Sequence, residues 1–472
     1  MPRNTRWLHV LTALIIVLVA FGARQPNAYA QTEIVVTTTA DTDAIGNGEN
    51  CGSPCSLRQA IIAANHTQGG IITFDIPTSD PGFNSFLDGG TLISTWTITV
   101  TDQLPPLSGN ITIDAATEQG AANNPIGPEI FIDGSELSTS GAISGLILED
   151  TNNKVIGIGI VNFKNPGPSS AKRGYGIEIR GSNNEVKGSW IGIGSDRNAA
   201  GQRTSGIYVT GTGNTIGGAN NNDKQYNIIA GNGENGIELA ANSSGNIIRG
   251  NFIGILANSS TARANGGHGI YINASNNNTI GSDEHTNTIN LANFISGNTG
   301  AGIYIENAAN NKILGNVIGL NTLRNTAIPN QDNGIYIYTP LNGTALGNVI
   351  GGIGGGAHNI ISGNTGSGIL LEGPGVRETE IVNNYIGSNA NRNATPNNVG
   401  NSSYGILVTN GASNNSIGSA DDNRGNLIVA NGADGIRITG GTYTAGSNNN
   451  RVFGNTIGIG FNTSGPITLP NT

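Results

Sequence analysis

The sequence of 472 residues predicts an all-β fold, a parallel β-helix solenoid with three strands per coil. Three observations carry this reading. The dipeptide Gly-Ile returns at Gly176, Gly206, Gly236, Gly269, Gly302, Gly334, Gly368, Gly405 and Gly435, a mean step of about 32 residues, with "GLIL" at Gly145 as a degenerate first copy. A period in that range marks a solenoid or a propeller. Each period holds three short apolar runs, such as "GIYI", "KIL" and "NVIG" between Gly302 and Gly319. The runs are separated by Asn and Gly, which tolerate the left-handed backbone of a sharp bend. Propeller blades need four strands and closure into a ring, so three runs per period favour a stack of coils.

Composition agrees with many tight turns. Gly numbers 73, about twice its usual share, yet Gly and Asn alternate with Ile and Val runs instead of forming the tracts of a disordered chain. The first 30 residues read as a secretory signal peptide: Arg3 and Arg6, an apolar run from Val10 to Ala23, then Ala28-Tyr29-Ala30 as an A-x-A cleavage signal. That run is shorter than the roughly 20 residues a spanning helix needs, and no other segment could cross a membrane. The expected organisation is therefore a signal peptide at 1–30, a cap with the first strands at 31–90 and the solenoid at 91–472, in a protein that is secreted or held at the cell surface. Cleavage removes three Arg and no acid, moving the net charge from -9 to -12. Such a charge disfavours nucleic acid and acidic polysaccharide as partners.

Cys51 and Cys55, in "CGSPC", are the only cysteines. In an exported chain they are expected to close a small disulfide loop, since zinc would need ligands that are not nearby. "CSLRQAIIAAN" then reads as a short helix: Ser56 and Gln59 form a capping box, and Leu57, Ala60, Ile61 and Ala64 share one face. It is expected to cover the N-terminal end of the core, with "GIITFDIP" among the first strands.

Along the solenoid the period within a strand is two, so Ile303 and Ile305 point one way and Tyr304 the other. Coils alternate in loop placement. Those starting at Gly176, Gly236, Gly302, Gly368 and Gly435 carry a long loop after the third strand, and the others carry it between the second and third. About ten or eleven coils at the usual ladder spacing give a rod on the order of 50 Å long.

These residues resemble a known group. "CSLRQAI" is similar to the Cys-Ser-Leu-Arg-Glu-Ala (CSLREA) motif of a family of exported bacterial proteins, with Gln59 in place of the Glu. "NNKILGNVIG", "NTIGG" and "NIISGNTGSGI" resemble the right-handed parallel β-helix repeats that often follow that motif, in the pectin-lyase-like superfamily. The resemblance implies a right-handed coil and export. It does not choose among lyases, glycoside hydrolases, tailspikes and adhesins, because one fold hosts many functions.

Catalytic signatures are weak. Gly-His-Gly at His268 resembles part of a polygalacturonase-like site, but the only Asp-Asp, at Asp421 and Asp422, follows it by more than 150 residues, and "RIK" and Asn-Thr-Asp are absent. No catalytic residue and no metal ligand is assigned. Asp223, Asp283, Glu284, Asp421 and Asp422 sit in even-coil loops, where calcium between neighbouring loops is the one cofactor conceivable. Among outward positions, Tyr208, Glu238, Tyr271, Tyr304 and Tyr336 occupy one place in successive coils, with Tyr338 beside the last, in a protein with 5% aromatics. Cross-strand pairing accounts for such a ladder. So does a platform for sugar rings, with Asn273 and Glu306 as polar neighbours. The expected function is a non-catalytic adhesive or carbohydrate-binding scaffold acting on a polysaccharide or envelope glycan, the alternative being a polysaccharide lyase or glycoside hydrolase. The last coil, with Ile436, Ile438, Val452 and Ile457, is expected to leave an open edge, so that the chain continues in a longer form or self-associates end to end. Pro470-Asn471 reads as the next copy of Pro329-Asn330 and Pro396-Asn397.

Overall fold

The computed structural model describes residues 32–42, 51–117, 126–137, 143–164, 174–218, 225–257, 260–283, 291–354, 356–393, 399–420, 424–441, 446–462 and 465–472. The signal-peptide segment lies outside them, and residues 32–472 form one compact unit. No helix among the described residues is long and apolar enough to cross a membrane.

Three long sheets run along this unit. In the order that each coil visits them, sheet I holds the Gly-Ile strands, ten in all from Leu146–Leu148 to Ile436–Ile438. Sheet II has thirteen strands, from Glu33–Val36 to Arg451–Val452, and sheet III thirteen, from Phe83–Asp88 to Thr456–Ile457. Every pairing within them is parallel except the hairpin of Phe83–Asp88 with Thr91–Thr99. Parallel crossovers of this kind wind right-handed, and this unit is a right-handed parallel β-helix with ten complete three-stranded coils among the described residues. A parallel bridge from Leu107 to Leu148 extends sheet I by one further rung.

The interior follows from the two-residue period. On sheet I, Ile177, Ile207, Ile237, Ile270, Ile303 and Ile335 stack in register and are fully buried. At the corners the Asn pairs divide their labour. In Asn183-Asn184, Asn277-Asn278 and Asn310-Asn311 the first residue takes the left-handed conformation, and the second is fully buried. Gly213, Gly245 and Gly347 hold the same left-handed place before Asn214, Asn246 and Asn348. The second residue builds a ladder: Asn246 Nδ2 donates to Asn278 Oδ1 at 3.2 Å and to the Gly211 carbonyl at 3.2 Å, while Asn246 Oδ1 accepts from the Asn214 backbone N–H at 2.9 Å. Sequence reasoning credited Asn with the bend alone. Its larger contribution is to satisfy backbone groups inside corners that water cannot reach.

All three corners carry such ladders. Asn227, Asn251, Asn293 and Asn316 form the one before sheet III, and Asn232, Asn265, Asn298 and Asn330 the one before sheet I. The latter runs on through Asn364, Asn401 and Asn431 to Asn471. Asn471 therefore aligns with Asn330, whereas the intervening copy is Asn401; Pro396-Asn397 lies outside the described residues.

At the N-terminal end, the helix Leu57–His66 carries the capping box: Gln59 N–H donates to Ser56 Oγ at 3.2 Å, and Ser56 N–H to Gln59 Oε1 at 3.1 Å. Leu57, Ala60, Ile61 and Ala64 are buried and join Val36 and Ile72 in the main core. Arg58 adds what the pattern did not disclose, a buried two-pronged contact with Asp41 at 2.7 and 2.8 Å. Cys51 and Cys55 are joined by a disulfide, with Cα atoms 5.3 Å apart. At the other end, Ile438, Val452 and Ile457 are 39%, 45% and 45% exposed, unlike their stacked counterparts one rung earlier.

The outer face of sheet III departs from a solvated one. Phe131, Trp190, Ile228, Phe252, Phe294 and Val317 point outward and are buried in a second apolar core. The long odd-coil loops cover it as hairpins, closed by bridges Ile193–Ala199, Ile255–Ala262 and Leu320–Ala327, and the hairpin Ile459–Asn462 with Gly465–Thr468 follows the third strand of the last coil.

Candidate functional site

The outer face of sheet I is polar and aromatic and half-buried, whereas that of sheet II is polar, with Lys154, Glu185, Lys312 and Glu380 among its outward residues. Registration sets two outward columns. The first reads Glu178, Tyr208, Glu238, Tyr271, Tyr304, Tyr336, Leu370. The second runs Asn273, Glu306, Tyr338, Glu372.

Tyr271, Tyr304, Tyr336 and Tyr338 come together as one half-buried cluster. Ring centroids of Tyr271 and Tyr304 are 5.4 Å apart at 18°, and those of Tyr304 and Tyr336 4.9 Å apart at 49°. Tyr338 lies 6.0 Å from Tyr336. Tyr208 is not part of this group. Glu238, 8% exposed, occupies the rung between Tyr208 and Tyr271 and accepts hydrogen bonds from Ser205 Oγ at 2.8 Å and Asn235 Nδ2 at 3.3 Å. Tyr208 stacks instead on Tyr175, 4.3 Å away at 3°.

His268, the residue before Gly269-Ile270, belongs to the face. Its ring stacks on Tyr304 at 4.6 Å and 28°, and its Nδ1 accepts the Ala301 N–H at 3.0 Å. Burial holds its pKa below the ordinary value, with Asp332 and Glu306 pulling the other way. The signal available in the sequence was the lateral adjacency of this slot to the tyrosine column, which also carries Tyr175.

Carboxylates organise the hydroxyls. Tyr271 Oη donates to Glu306 Oε2 at 2.5 Å, and Tyr336 Oη donates to Glu372 Oε2. Asn410 Nδ2 donates to Glu372 Oε1 at 2.6 Å. Burial, then these carboxylates, push the Tyr271 and Tyr336 phenols far above their usual pKa. Tyr304 is raised too, by burial and the charges of Glu306, Glu372 and Asp332. The phenols stay neutral donors at any physiological pH. No Lys or Arg occupies an outward position of the rungs from Ile207 to Ile406. The arrangement offers aromatic faces and anionic acceptors.

Among the described residues no three His, Cys, Asp or Glu side chains assemble as metal ligands would. Asp223, Glu284, Asp421 and Asp422 lie outside the described residues, so the calcium expectation falls there; Asp283 is an exposed loop residue.

Fold and face together define a parallel β-helix solenoid with one open tyrosine–carboxylate sheet. No family model matches the chain, and no curated protein matches it significantly. Among solved structures it is similar to the A-modules of two Azotobacter vinelandii mannuronan C-5 epimerases, AlgE6 (15% identity over 85% of this chain and 93% of that one, TM-score 0.45) and AlgE4 (14%, 88% and 96%, 0.45). It is also similar to the Dettilon tailspike protein (15%, 89% and 68%, 0.34). The fold assignment rests on the strand registers, and no residue role or ligand is carried over from these proteins.

Proposed function

We propose that this chain is an exported, non-catalytic scaffold whose sheet I face holds a polysaccharide chain outside the cell or at its surface. The observation that carries the reading is the half-exposed cluster of Tyr271, Tyr304, Tyr336 and Tyr338 on the outer face of sheet I. Ring faces pack against the C–H faces of sugars, and amphipathic aromatics suit a surface that is apolar and wet at once. The neighbouring Glu306 and Glu372 accept hydrogen bonds, as sugar hydroxyls require.

The test is retention of the protein on a panel of immobilised polysaccharides, with assays for new reducing or unsaturated ends run on the same samples. Retention without new ends, lost in a folded variant carrying Tyr271→Ala, Tyr304→Ala and Tyr336→Ala, supports the scaffold. New chain ends would favour a lyase or hydrolase. Retention by the folded triple variant would reject the face as the site.

A further inference from the structure

The geometry points to a cationic amino-sugar polymer, of the extended β-1,4-linked glucosamine type, as the occupant of this face; the inference rests on the glycan-binding reading above and deepens it. It starts from the spacing of the acids. Glu178, Glu238, Glu306 and Glu372 fall on every second rung of sheet I. Glu306 and Glu372 share one column, with Tyr338 registered between them. At the usual ladder spacing their backbones are roughly 10 Å apart along the axis, comparable to the two-sugar repeat of an extended β-1,4-linked chain. In such a chain each sugar is flipped relative to the last, so 2-amino groups facing one side recur once per two sugars. A chain lying along the solenoid would set successive ammonium groups against Glu306 and Glu372, and a sugar face on the ring between.

Charge decides the class of ligand. The tyrosine rungs carry no cation, and the nearest on sheet I are Arg180, held by Glu178 and Glu149, and Arg437 on the last rung. A uronate or sulfated chain would meet only like charge and would leave its anions unpaired. Both carboxylates are held in place by Tyr271, Tyr336 and Asn410, so they need little reorganisation to meet an ammonium group. The tyrosine faces also attract a cation through their ring quadrupoles.

The experiment compares retention of the full chain on fully deacetylated glucosamine polymer, the N-acetylated polymer of the same length, a neutral β-glucan and a polyuronate, at low and high salt. The expected result is at least tenfold stronger binding to the deacetylated polymer than to the acetylated one, weakened as salt shortens the screening length. The pair Glu306→Gln and Glu372→Gln, which keeps acceptors for both tyrosines, should abolish the discrimination between the deacetylated and the acetylated polymer. The tyrosine-to-alanine triple variant has the same net charge and controls for adsorption of a polycation by an acidic protein. Undiminished retention by that variant, once shown to be folded, would overturn the proposal. So would equal binding of acetylated and deacetylated polymers, or a preference for polyuronate, while leaving the glycan platform standing. Failure to retain any glycan would remove both.

Discussion

Sheets I and III are built from the same repeats, share one interior and expose opposite kinds of outer face. On sheet III the outward column includes Phe131, Trp190, Ile228, Phe252, Phe294 and Val317, all buried in an apolar core that Ile193, Ile255 and Leu320 of the odd-coil hairpins join. On sheet I it is a run of half-buried tyrosines and acids. The aromatic rings therefore do two different things. Phe252 and Phe294 stack 5.2 Å apart as core, whereas Tyr271 and Tyr304 stack at a similar distance with the Tyr271 hydroxyl tied to the Glu306 carboxylate. What separates the two is loop length at the adjacent corner: a long connection can fold back and bury a strand face, and a short one cannot.

The largest effect expected from this contrast is at Phe252. Phe252→Ala should cost about 3–5 kcal/mol in urea unfolding, by loss of buried area and the cavity left behind. Tyr304→Ala should cost only about 1 kcal/mol, the scale of a cross-strand pair on an open face. Equal losses would mean that the tyrosine face is as structural as the covered one.

Tyr336→Phe sharpens the comparison further. It removes the donor to Glu372 and keeps the ring, and because the site is half exposed the expected loss is about 1 kcal/mol or less. A loss matching that of Tyr336→Ala would show that the hydroxyl, rather than the stacked ring, holds the face together.

A gain is expected at the corner beside the tyrosine sheet. Thr379 interrupts the Asn ladder between Asn348 and Asn415, and its buried Oγ1 has no hydrogen-bond partner among the described residues. Thr379→Asn should restore an acceptor for the rung before it and a donor, stabilising the protein by about 1 kcal/mol. A lower midpoint on thermal unfolding would show that the corner is too tight for the larger side chain.

The smallest effect is a pH dependence unique to the open face. His268 has its pKa lowered by burial, so its neutral form is the one the fold favours. Its contribution is present in full above the unfolded value of about 6.5 and is lost as pH falls from there through the lowered folded value. His268→Gln should flatten the stability profile in that window, and Phe252→Ala should leave the slope unchanged. An unaltered slope in the histidine variant would mean that protonation is absorbed by Asp332 and Glu306.

Much of this architecture was legible in the chain. The Gly-Ile period and the three apolar runs set the coil, the two-residue alternation set which Ile residues face inward, and Ser56 with Gln59 marked the helix, because each of these signals is local. The tyrosine column could be written down for the same reason. The stacking of Tyr208 on Tyr175, the tie of Tyr271 to Glu306 two residues further along the next strand, and the entry of His268 into the stack could not, since each joins side chains about one coil apart in sequence at distances that only the register fixes. The second core under the odd-coil hairpins was hidden for a related reason. Outward Phe and Trp on a strand look the same whether a loop returns over them or not, and only the folded path of that loop, set by the packing of Ile193, Ile255 and Leu320 against sheet III, decided which face of the solenoid was closed and which was left open.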